Sequence, residues 1–210
     1  MKINYFDFGL HKGDEIQMFL DATKSIQGIY DISVYGFEAH PELSIKVANR
    51  YSEYDNVEII NKAISFENSK IRLYIAEGNK MEGNSVFSSK NNVSTDNYVD
   101  VDGVLFSDWL IENETSFSDA INVIRFNIEG AEIYLLEDII SSGLNEYIYL
   151  YLGSSGGVDI LKCEEIAHLH SDYEQKLKQN GIEVHQFCSA STNNISADRI
   201  VDLLTSKKIC

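Results

Sequence analysis

The chain has 210 residues, 44% of them apolar and 24% charged, the balance of an ordinary globular protein with one sizeable core. Acidic residues outnumber basic ones 33 to 17, for a formal charge of −16 and a pI near 4.6. That charge repels phosphate backbones and anionic lipids, so nucleic acid and membrane surfaces are excluded as expected partners.

Along the chain, short apolar runs alternate with segments of helical period. "INYFDF" (3–8) is a strand that ends at Gly9, and it follows Met1 so directly that no leader peptide is expected. From Asp14 the positions Ile16, Phe19, Leu20, Thr23 and Ile26 form one helical stripe. "ISVYGFE" (32–38) is a second strand, after which Pro41 stands at the first position of a helix carrying Leu43, Val47, Tyr51 and Tyr54. Strands follow at 56–61 and 70–76, the second with period-two alternation. Residues 77–103, rich in Asn, Ser and Gly, are expected as a long surface loop inserted in the domain. A short helix near 107–113, a strand at 122–130, a helix at 131–142 stopped by Gly143 and a strand at 146–153 come next. The pattern predicts a long helix over 159–180 and a strand over 182–190; the tail from Ala197 reads as helix or strand.

No stretch approaches the roughly 20 apolar residues that span a bilayer. Three cysteines without CxxC spacing, Cys163, Cys188 and Cys210, fit free thiols in a reducing cytoplasm. His168, His170 and Glu164 invite a metal reading, yet i and i+2 do not share a helix face, and no metal site is expected. The expectation is one α/β domain over residues 1–210, with a mostly parallel sheet and ligands at the carboxyl ends of its strands. The oligomeric state is not specified.

Candidate site residues therefore follow the strands. Asp7 closes the first strand, and Gly9 and Gly13 let backbone approach a ligand, although the loop is not G-x-G-x-x-G. Glu38 ends the second strand about 25 residues after Gly13, near the offset at which an acid meets ribose hydroxyls. Asn61 and Ala63 offer small groups beside which a flat base fits. Glu129 and Glu132 flank Gly130 where a strand gives way to a helix.

In this order, "DFGLHKGD", "YGFEAHPE", "NKAI" and "RFNIEGAE" resemble the FkbM-type S-adenosylmethionine-dependent methyltransferases, whose pattern runs roughly D-x-G-A-N-x-G-D, F-E-P-N-P, N-x-A-x and K-x-D-x-E-G-A-E. The likeness covers about residues 3 to 140, with looser similarity at "EGNS" (82–85) and "VLFSDWL" (104–110). It implies a three-layer Rossmann-like class I methyltransferase fold, with S-adenosyl-L-methionine as cofactor and a small-molecule or carbohydrate hydroxyl as acceptor. Asp7, Gly9 and Gly13 would line the cofactor's methionine end, Glu38 its ribose, and Asn61 and Ala63 its adenine. The chain departs from the pattern at His11 (usually Asn), at Ala39 and His40 (usually Pro-Asn) and at Asn127 (usually Asp). A hydroxyl acceptor calls for a general base, for which Glu129 and His11 are the candidates, with Asn127 as an orienting hydrogen-bond partner. The alternative is a cofactor-binding or regulatory protein on the same fold that has lost turnover. A nicotinamide oxidoreductase is disfavoured by the missing glycine fingerprint.

Overall fold

The computed structural model describes residues 1–78, 83–153 and 157–206. Part of the expected 77–103 loop, the 154–156 segment and Cys210 lie outside them. The elements run β1 (Lys2–Phe8), α1 (Asp14–Ala22), β2 (Asp31–Phe37), α2 (Pro41–Arg50), β3 (Val57–Ile60), β4 (Ala63–Ile64), β5 (Lys70–Ala76) and β6 (Val93–Val104). They continue with α3 (Phe106–Glu112), β7 (Ala120–Phe126), α4 (Glu132–Ser141), β8 (Ile148–Gly153), α5 (His170–Gln179), β9 (Val184–Gln186) and α6 (Ala197–Ser206).

Six strands form one all-parallel sheet in the order β3-β2-β1-β7-β8-β9. The first strand of the chain is thus central, flanked by β2 on one side and β7 on the other. Its run of apolar residues follows from that place, because both faces are covered. Ile3 and Tyr5 face α1 and α6, where the Tyr5 ring stacks on Phe19 with centroids 4.0 Å apart. Phe6 and Phe8 face the other side, against Phe106 and Trp109 of α3 and Leu135 of α4. Helices on both faces make three layers, and the strand order reverses direction between β1 and β7. A crevice at that switch point is where parallel α/β sheets hold ligands.

Three segments differ from the sequence-based expectation, each for a tertiary reason. Within 77–103, β6 is a twelve-residue strand that pairs antiparallel with β5 and, through Gly103 and Val104, parallel with β4. Its inward residues are Val99 and Val101, and the intervening aspartates face solvent. The expected helix over 159–180 is reduced to α5 preceded by two short 3-10 turns, at Ile160–Lys162 and Ala167–Leu169. Cys163 is extended there because its backbone bridges Lys90, while the Asn91 amide donates to the Lys162 carbonyl. The strand expected over 182–190 shortens to β9, an edge strand. Its continuation is a loop in which the Asn194 side chain bonds both the amide and the carbonyl of Cys188. The tail forms α6, whose Ile200 and Leu204 are buried against the α1 side of the core. Among the described residues, no helix is long and apolar enough to cross a membrane.

Candidate functional site

Gly9 is the pivot on which the carboxyl ends of three strands meet. Its amide donates to Phe37 of β2, its carbonyl accepts from Arg125 of β7, and its φ is 88°. A Cβ at this position would lie 2.2 Å from the Asn127 carbonyl oxygen. Left-handed strain and overpacking therefore add, and Gly9→Ala is expected to cost about 3 kcal/mol or more. Urea denaturation measures it; an unchanged midpoint would show that the loop moves aside freely.

Beyond the pivot the backbone stays left-handed at His11 (φ 49°), an uncommon conformation for a side-chain-bearing residue. Glu38 holds it there. One carboxylate oxygen of Glu38 accepts the His11 amide at 2.9 Å, and the other accepts the His40 amide at 2.8 Å. Burial raises this carboxyl above its ordinary range, and the amides only partly offset that. A carboxylate has about four lone-pair positions, so each oxygen can still accept a hydroxyl donor.

The floor of the crevice is a buried ionic cluster. Arg125, on the apolar strand β7, lies 3.0 Å from Asp7 and 3.4 Å from Glu15, and all three side chains are nearly inaccessible. Burial pushes Asp7 up to about 6 despite the guanidinium beside it. Burial acts the same way on Glu15, but there Arg125 and the Ser189 amide outweigh it and hold the carboxyl low.

The wall after β7 is a tight turn with Glu129 at φ 58° and Gly130 at φ 108°. Glu132, the first residue of α4, captures the amides of Ile128 and Gly130 at 2.8 and 2.7 Å, which is why β7 stops at Phe126 rather than at Gly130. Burial brings the Glu132 carboxyl up to about 7. Glu129 itself is ion-paired through Oε2 to the buried Lys90, and its carbonyl accepts from Ser85. Lys90 and Ser85 lie between β5 and β6, so the second sheet is tied to this turn.

These parts enclose a cleft of about 500 Å³. Of the residues expected at a site, Gly9, His11, Glu38, Ala63, Asn127 and Glu129 line it together. Four others do not, Glu132 among them because it is spent on the amides of the turn. Asp7 lies beneath the floor and is spent on Arg125 and Tyr5. Gly13 caps the start of α1, where a Cβ would meet Val47 of α2 and Tyr51 just beyond its end. Asn61 donates to the carbonyls of Glu38 and Ala39 and so braces the β2 end. Sequence reasoning missed Arg125 and Lys90. A lone basic residue within "NVIRFN" was a readable signal for the first; nothing local marks the second. Among the described residues, no three His, Cys, Asp or Glu gather into a group able to hold a metal ion.

Fold and cleft together define a parallel α/β protein with helices on both faces of its sheet and a crevice at the switch point. No family model, curated protein or solved structure matches the chain.

Proposed function

We propose that the chain is an S-adenosylmethionine-dependent methyltransferase of FkbM type that methylates a hydroxyl of a sugar or other small molecule. The observation that carries this reading is the convergence of Gly9, Glu38 and Ala63, from the ends of β1 and β2 and the start of β4, on one cleft. These are positions at which the resemblance puts the methionine end, the ribose and the adenine. The residues fit such a group: about 500 Å³ lies within the range of small-molecule pockets, and Glu38 keeps lone pairs for two adjacent hydroxyls. Ala63, Ile64 and Leu43 supply a small apolar wall for a base.

The cofactor, when bound, supplies an activated methyl on a sulfonium; the protein supplies alignment. Glu38 would hold the ribose while its two amide bonds keep it from moving. Glu129 has one oxygen occupied by Lys90, and Oε1 is the atom that would take the acceptor's proton. His11, in the Gly9 loop and also lining the cleft, is the second candidate for that role. The Asn127 amide can orient a hydroxyl but cannot accept its proton as a base.

Two observations favour a second reading, cofactor binding without turnover: the Lys90 pairing of Glu129, and Asn127 in place of Asp. Calorimetric titration separates the cases. Micromolar binding of S-adenosylmethionine and its demethylated product is expected, with none of NADH. Glu38→Ala should weaken that binding by about 1–3 kcal/mol, the loss of charge-assisted hydrogen bonds. Unchanged affinity would remove Glu38 from the ribose. Binding without methyl transfer to any of a panel of sugars would favour the second reading, and no cofactor binding would remove both.

A further inference from the structure

The charges lining the cleft are unevenly spent. Asp14 pairs with Arg50 at 2.5 Å and Glu15 with Arg125 at 3.4 Å. Glu38 takes two backbone amides, and Glu129 is held by Lys90. Each carboxylate on the wall thus already has its donor. Lys62 differs. It sits between β3 and β4, partly buried, and lines the same cleft. Among the described residues its ammonium has neither an ion pair nor a hydrogen bond, although acids outnumber bases 33 to 17 in the chain.

A cation that borders a cleft and has no partner of its own is complemented by an anion placed in that cleft. The field of a chain at −16 keeps anions off the surface generally, so an anionic ligand needs a local cation to be retained. We propose that the ligand of this cleft carries an anionic oxygen group, a carboxylate or a phosphate, that docks on Lys62 Nζ. The inference rests on the cleft being the ligand site, as in the proposed function, and extends it to the ligand's charge. Two sources supply the chemistry. An acidic or phosphorylated acceptor leaves the adenine at Ala63. The amino-acid carboxylate of the cofactor would require the cofactor to lie the other way round in the cleft, its methionine end rather than its adenine beside Ala63.

Calorimetry on the full chain, its Lys62→Met variant and its Lys62→Arg variant distinguishes them. The cofactor arm compares S-adenosylhomocysteine with 5′-methylthioadenosine, which lacks the carboxylate. The acceptor arm compares glucuronate and glucose 6-phosphate with glucose. In at least one arm, Lys62→Met should weaken the anionic member about tenfold and leave the neutral member unchanged, with Lys62→Arg restoring most of the loss. Unaltered melting temperatures confirm that the variants fold. Loss confined to S-adenosylhomocysteine assigns the anion to the cofactor; loss confined to glucuronate or glucose 6-phosphate assigns it to the acceptor. If the wild type ignores S-adenosylhomocysteine but binds a sugar anion through Lys62, the methyltransferase reading fails and the anion site stands. No Lys62-dependent difference in either arm overturns the proposal.

Discussion

Arg125→Met should lower folding stability at pH 7 by about 3–5 kcal/mol, the cost of stranding a buried charge partner. The guanidinium is shared: it lies 3.0 Å from Asp7, donates to the Gly9 carbonyl at 2.8 Å, and stands 3.4 Å from Glu15. Methionine fills much of the volume but leaves two carboxylates buried without their common cation. The penalty should shrink at pH 5. Asp7 already reaches about 6 with Arg125 present, and without it the carboxyl rises further, so it takes up a proton and sheds the uncompensated charge. Adding Asp7→Asn to Arg125→Met should recover part of the loss, since the two side chains touch. Equilibrium denaturation of the single and double variants at both pH values is the measurement. A cost under about 1 kcal/mol that does not depend on pH would mean that solvent reaches the cluster and screens it.

The wild-type chain should itself lose stability as pH rises from about 4.5 to 7. Glu132 titrates near 4.5 when exposed and near 7 in the fold, because burial disfavours its charged form. Between those values the folded state holds a proton that the unfolded state has released. The stabilisation is complete below 4.5 and is lost as pH passes 7. A difference from 4.5 to about 7 corresponds to roughly 3 kcal/mol at its fullest. Asp7, raised from 3.8 to about 6, acts with the same sign over a lower window. Glu132→Gln removes the titration, so the variant's profile should be flatter across pH 5 to 7. It should also be less stable at pH 5, because the amide sets an N–H group against one of the donors at Ile128 and Gly130. A wild-type stability that is level or rising from pH 5 to 7 would contradict this.

Much of the sheet was legible because its strands are buried on both faces and read as unbroken apolar runs. Gly9 and Glu38 were legible as residues of the cleft because a strand end in a parallel sheet is a restricted place. Asp7, Gly13 and Asn61 share that place but serve the frame, and only their partners reveal it: Arg125, α2 and the β2 carbonyls. The helical period at 159–180 was overridden by backbone pairing between Cys163 and Lys90, a contact across 73 positions (163 − 90) that no local window contains. β6 hid for a different reason: its amino-terminal half is exposed and polar, so alternation shows only around Val99 and Val101.

The ionic floor also bears on how the chain is made. Its bonds span 118 positions from Asp7 to Arg125 and 174 from Glu15 to Ser189. As a polypeptide leaves the ribosome, β1 can pair with β2 early, but its other edge stays bare until β7 emerges. During that interval an apolar strand edge is open to wrong partners, a recognised route to aggregation. The last support, the Ser189 amide, arrives later still. The floor of the cleft is therefore complete only once residue 189 has emerged, and any molecule that binds the finished cleft would draw such chains toward the folded form by mass action.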